Sequence, residues 1–221
     1  MIDAFASKID PELFDRSGKA FYSGRSAFAR QTDLYVLGFN PGGDSDSEAE
    51  TTVRRHPDFV LREAPSSWSA YSDESWKGRR PGGHGMQPRV LHSFRQLRHD
   101  PRLTPCSNLI FIRSPRAKAL IKDSNRLEEL CWPFHHAIIE QFRPRVLVCF
   151  GKQAGDRVRR RLCANSLVEV FVERNDRRWT SRAYKNSAGL VVLSLTHPSV
   201  ADWTIPATDP TPLVRKFLAG Q

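Results

Sequence analysis

Paired cysteines are missing from this chain. Its four cysteines, Cys106, Cys131, Cys149 and Cys163, form no CxxC pair and stand beside no histidine pattern suited to a ligand set. Neither a zinc site nor an iron–sulfur cluster is signalled, so no metal and no cofactor is expected. Long apolar runs are missing as well. None approaches the roughly 18 residues of a membrane helix, and the N-terminus lacks a signal-peptide core. The expectation is a cytoplasmic, reducing setting without membrane contact. Internal repeats and low-complexity tracts are also absent. Acidic residues are in deficit, with 24 Asp and Glu against 34 Lys and Arg, which leaves a net charge of +10. That balance favours a polyanionic partner, most often nucleic acid, over a merely soluble basic protein.

What is present suits one compact unit. With 221 residues and 39% hydrophobic content, the chain can bury one sizeable core, which predicts a single domain over 1–221 and a monomer. The most informative stretch is Leu34-Tyr35-Val36-Leu37-Gly38-Phe39-Asn40-Pro41-Gly42-Gly43-Asp44. An apolar run that ends abruptly in a Gly/Pro turn reads as a buried strand followed by a loop. In open α/β sheets ligands bind outside the carboxyl ends of strands, and glycines there admit close backbone approach. Asn40 and Asp44 are therefore candidates for chemistry, although Asn-Pro-Gly-Gly also suits a plain tight turn.

Further along, Asp44 to Gly85 is a long polar segment carrying Trp68, Tyr71 and Trp76 and ending in Lys77-Gly78-Arg79-Arg80-Pro81-Gly82-Gly83-His84-Gly85. Its basic, glycine-rich end suits a surface that tracks a phosphate backbone, with Arg79 and Arg80 as the contacts. Each tryptophan alone equally suits pinning the loop to the core. Val90, Leu91, Phe94 and Leu97 recur at helical spacing over 87–98. A strand is expected over Asn108–Ile112, a helix over about Ser124–Phe142 with an N-cap at Ser124 or Asn125, a strand over Arg145–Gly151 and a helix over Gln153–Leu162. Alternation around Asn175-Asp176 predicts a β-hairpin near 167–184. Leu190–Leu195 is the last core strand, followed by Thr196-His197-Pro198-Ser199. Strands alternating with helices imply an α/β fold, a three-layer α/β/α sandwich on a mainly parallel sheet.

Three polar motifs thus fall near strand ends, and there the chain resembles the uracil-DNA glycosylase superfamily. Gly38-Phe39-Asn40-Pro41-Gly42 is similar to the first motif of its mismatch-specific uracil/thymine branch, in which the asparagine holds the attacking water. His197-Pro198-Ser199 is similar to the second motif, in which the histidine faces uracil O2 and the following loop enters DNA. Cys106-Ser107-Asn108-Leu109-Ile110, Cys131-Trp132-Pro133-Phe134 and Arg143–Ala154 resemble the thermostable iron–sulfur branch, without its paired cysteines. The resemblance runs from about Leu34 to Val200, with a gap across the polar segment.

What the resemblance implies is a monofunctional glycosylase of base excision repair. It would flip uracil out of DNA and hydrolyse the N-glycosidic bond to leave an abasic site, with no metal or cofactor. Asn40 and His197 take the catalytic roles, with Asp44 the nearest carboxylate if one assists; Gly38, Phe39, Gly42, Asn108 and Ser199 line the base site. Pro198 and Val200 meet the DNA, Val200 as the wedge with Trp203 second. The aromatic that stacks on the base falls among Trp68, Trp76, His84 and Phe39. An amide cannot be a general base, so Asn40 can only orient water. A donor fixed at O2 stabilises the departing anion, the role of His197. Each assignment has a plainer counterpart: Asp44 as a turn cap, His197 as a surface histidine before a proline turn, Asn108 bonded to its own backbone. Two other functions stay open, a non-catalytic uracil or DNA binder of the same fold and a nucleotide-processing small-molecule enzyme.

Overall fold

A computed structural model describes residues 1–120 and 122–219. Helix α1 (Ile2–Ala6) opens the chain, and β1 (Leu34–Gly38) follows. The polar segment holds only the short α2 (Arg55–Asp58), extended by a wide turn over Phe59–Glu63. Next come α3 (Gln87–Leu97), β2 (Cys106–Asn108), α4 (Ser124–Phe142), β3 (Val146–Phe150) and α5 (Lys152–Arg161). The chain ends with β4 (Ser166–Val172), β5 (Thr180–Lys185), β6 (Val191–Leu195) and α6 (Thr211–Leu218).

The six strands form one mixed sheet in the order β2-β1-β3-β6-β5-β4. The first four run parallel, with Val36 beside Cys106, Tyr35 beside Leu147 and Leu147 beside Val192; β5 and β4 join antiparallel. Every residue of β1, β3 and β6 is buried, because helices lie on both faces of the parallel strands and a polar side chain has no wet side to turn to. One face, carrying Leu34, Val36, Val148 and Phe150, packs on Val90, Phe94 and Leu97 of α3, Val214 of α6 and Trp203. On the other, the Tyr35 hydroxyl meets Nδ1 of His135 on α4 at 2.7 Å. Gly155 of α5 lies so close to Ser194 that a Cβ there would collide with it, and Arg157 ties α5 to Glu128 of α4 at 2.6 Å. The fold is therefore α/β, with an arrangement compatible with three layers.

Several expected boundaries shift. The second strand is Cys106–Asn108 rather than Asn108–Ile112, so Asn108 ends it instead of starting it. Leu109 and Ile110 still follow β1 by bonding Gly38 and Phe39 carbonyls at 2.9 Å, but no parallel ladder continues. Helix α4 keeps its expected span and runs through Pro133; its N-cap is Asp123, without a side-chain cap bond, rather than Ser124 or Asn125. The hairpin is present, one residue longer at the start and shifted by one residue on its second strand. Helix α6 has no counterpart among the expected elements. Cys106, Cys131 and Cys149 are buried as small core side chains, and Cys163 is exposed.

Candidate active site at the carboxyl ends of the parallel strands

Parallel pairing puts the carboxyl ends of β2, β1, β3 and β6 along one edge of the sheet, and three motifs distant in sequence arrive there together. Gly38 pairs with Asn108, Cys149 with Ser194 and Phe150 with Leu195, so Asn40, Asn108, Gly151 and His197 all lie at or just beyond strand ends.

Asn40 is oriented by acceptors. Its Nδ2 donates to the carbonyls of Pro41 at 2.8 Å and Ile112 at 3.3 Å and to Ser114 Oγ at 3.3 Å. Two carbonyls can be satisfied only by the NH₂ group, which leaves Oδ1 as an acceptor for a water proton. Asp44 is engaged otherwise. It is exposed and its Oδ1 accepts from the Asp46 backbone N–H at 3.0 Å, the turn-capping role. The glycine turn is braced by a residue that sequence reasoning passed over, the buried Arg113. Its Nη1 donates to the Gly42 carbonyl at 2.6 Å and pairs with Glu48 at 2.9 Å, and its Nε donates to Ser17 Oγ at 3.2 Å. A charged residue directly behind the apolar run 109–112 was the available signal.

Asn108 is 4% exposed, and its Nδ2 is buried without a hydrogen bond of full geometry. Its side chain is pressed against the backbone of β1: a Cβ at Gly38 would collide with Asn108 Oδ1, so only glycine fits there. A buried amide donor without a well-formed hydrogen bond costs about 1–3 kcal/mol, and the Tyr22 phenol is the group beside it that can accept. That phenol is held well above its usual pKa, first by burial and then by the charge of Glu74, with the Asn108 amide acting the other way. Tyr22 comes from the N-terminal region, where no motif pointed to it.

His197 follows β6. Its Nδ1 accepts from Ser199 N–H at 3.0 Å and Ser199 Oγ lies 2.8 Å away, which leaves the proton on Nε2. Burial lowers its pKa to about 4, so the ring is neutral at pH 7 and offers Nε2–H as a donor. Gly151, at φ +90°, admits the ring: a Cβ there would sit 3.3 Å from it. Ser199 thus serves His197 directly. Pro198 is buried and its carbonyl accepts from Arg89 at 2.7 Å, so it shapes the turn instead of presenting a surface.

The aromatic candidates separate. Trp68 packs on His56 and Phe59, Phe39 is buried in the core, and His84 lies at the start of α3, where its N–H caps onto Gln87 Oε1 at 3.1 Å. Trp76 stays near the site through Tyr71, with ring centroids 6.1 Å apart. Tyr71 in turn meets Tyr22 at 5.6 Å and Phe150 at 6.3 Å, and Phe150 meets His197 at 6.4 Å. An aromatic chain therefore links the Asn108 neighbourhood to His197. On the surface, Arg79 and Arg80 are exposed, as is Val200 at 51%, whereas Trp203 is 1% exposed with its indole N–H on the Thr196 carbonyl at 3.2 Å. Trp203 is thereby removed as a wedge.

A cleft of about 370 Å³ lies elsewhere, between α4 and α5, and its Arg157 and Arg161 already pair with Glu128 at 2.6 and 2.7 Å. Among the described residues no group of three or more His, Cys, Asp or Glu is placed to hold a metal ion, and no helix is long and apolar enough to cross a membrane. The chain matches no protein-family model and no curated protein.

Proposed function

We propose that the chain is a uracil-DNA glycosylase-like protein, a three-layer α/β/α sandwich that extrudes uracil from DNA and hydrolyses its glycosidic bond. The observation that carries this reading is the convergence of Asn40, Asn108 and His197, from three distant motifs, at the carboxyl edge of one parallel sheet. Uracil O4 accepts from the Asn108 NH₂ and N3–H donates to Oδ1; cytosine reverses both and leaves buried groups unpaired. Water held on Asn40 Oδ1 attacks C1′ as the C1′–N1 bond breaks. The electron pair leaves with the base and spreads to O2, where His197 Nε2–H stabilises it, and the attacking water loses its proton to solvent. Extrusion costs a few kcal/mol, offset by phosphate contacts from the basic surface and by Val200 in the vacated stack. The test is a duplex carrying one uracil, incubated with the protein and then treated with alkali. Cleavage at the uracil, absent from a thymine control, is expected; an intact strand with free uracil undetectable overturns the activity.

A further inference from the structure

The exposed surface next to Val200 is built by the β4–β5 hairpin, whose turn is fastened to the loop after β6. Arg177 is the fastening. Its Nη1 donates to the Val200 carbonyl at 2.9 Å, its Nη2 pairs with Glu173 at 3.1 Å, and its guanidinium lies 4.3 Å from the centroid of the Trp179 ring. Arg174 adds two more ties, its N–H to the Ala207 carbonyl at 2.9 Å and its Nη2 to the Pro206 carbonyl at 3.2 Å. Asn175 Oδ1 accepts from the N–H groups of Arg177 and Arg178, both at 3.1 Å, which fixes the turn from within. The segments these bonds join carry three exposed large apolar side chains, Trp179 at 42% exposure, Val200 at 51% and Ile205 at 49%.

Arginines frame that patch. Arg174, Arg177 and Arg178 are all exposed, and among the described residues neither Arg174 nor Arg178 forms an ion pair. The carboxylate of Glu173 is buried against Arg177, and Asp176 is the one other acid of the turn. An indole with a guanidinium against its ring and 42% of the residue exposed offers surface to a flat ring, and arginines beside it suit phosphates.

We propose that this hairpin tip is a second DNA-binding surface, in which Trp179 stacks on a base flanking the extruded nucleotide while Arg174 and Arg178 hold the adjoining phosphates. The placement beside Val200 rests on the glycosylase reading; binding itself does not. Arg177 is the positioning residue, since it joins the platform to the loop that carries the wedge.

The test is binding of the full chain to a fluorescent duplex that carries one tetrahydrofuran abasic analogue and no uracil, so that the flanking base is open while nothing can be excised. Measured over a salt series, it reads loss of excision and loss of this surface separately. Trp179→Ala is expected to weaken binding roughly 5- to 100-fold at fixed salt while leaving the salt slope unchanged, with Trp179→Phe restoring most of it. Arg174→Gln with Arg178→Gln is expected to lower the slope of log affinity against log salt by about two. Unaltered melting temperatures exclude misfolding. Wild-type affinity and slope in both variants would overturn the proposal, as would equal loss of binding to a double-stranded RNA of the same sequence that the wild type binds as tightly.

Discussion

The two halves of the sheet obey different rules. In the parallel half every residue of β1, β3 and β6 is buried, whereas β4 in the antiparallel half leaves Leu167, Val168, Val170 and Val172 exposed. Burial on both faces gives the parallel strand ends fixed positions and a low-dielectric surrounding, which a hydrogen-bond donor needs if it is to favour one base or one developing charge. The hairpin offers the reverse, wet groups on a braced frame, suited to gripping a flexible polyanion. Under the proposed function, recognition of the base falls to the parallel half and grip on the strand to the hairpin, and each can be disabled separately.

The sharpest break is at Asn108. Asn108→Asp removes the NH₂ donor and adds an acceptor for cytosine N4–H₂; retention of a carboxylic proton in the buried site would let it donate to N3 as well. Uracil excision is expected to fall by about 10³-fold or more, and slow release of cytosine to appear, read as free base by chromatography. Wild-type uracil rates in both Asn108→Asp and Asn108→Ala would make the residue structural.

Next is Asn40, where losing one positioning contact is expected to lower single-turnover excision about 10²-fold with DNA affinity retained. Asp44→Asn should matter far less, because its carboxylate already caps the Asp46 N–H. A larger loss at Asp44 than at Asn40 would reverse their roles.

Acid stability probes the burial itself. Burial lowers His197 and His135 to about 4 and takes His56 well below the usual value. The unfolded chain binds these protons near pH 6.5, the folded chain only near pH 4 for the first two, so the unfolded state holds more protons in between. Stability is then full above about pH 6.5 and lost as pH falls toward 4, with His135 alone worth about 2 kcal/mol at pH 5. Urea midpoints at pH 7 and pH 5 measure it, and His135→Gln should shrink the difference. An unchanged difference would remove His135 as a contributor.

The smallest effect is expected at Arg79 and Arg80, exposed on the loop before α3. Replacing both with Gln should lower the salt slope by up to two without changing which base is removed. If the slope is unchanged here but falls in the Arg174 and Arg178 variant, the DNA lies along the hairpin.

The parallel half was legible because its strands announce themselves. Leu34–Gly38 and Val146–Phe150 are unbroken apolar runs and Val191–Leu195 is interrupted only by Ser194, and Asn40 and His197 follow two of them within the distance of a turn. Asn108 ends the second strand instead of starting it, because Leu109–Ile112 is as apolar as a strand while its hydrogen bonds serve a bend instead. Tyr22 and Arg113 could not be assigned, since their roles arise from contacts across 86 and 71 residues of chain, to Asn108 and Gly42. The same holds for Arg177, whose bond to the Val200 carbonyl spans 23 residues and carries no local pattern. Of the two readings the sequence leaves for Asp44, the structure shows the turn cap on the Asp46 N–H.

The central claim is that a neutral His197, fixed at the strand edge, donates to the departing base. The most direct measurement is the single-turnover rate of uracil release by the wild-type chain between pH 5 and pH 8. Release at a rate that does not rise as pH falls through 6.5 is the predicted result, since the ring stays neutral until about pH 4. A rate that climbs about tenfold per unit of acid through that range, or no release at any pH, would contradict it.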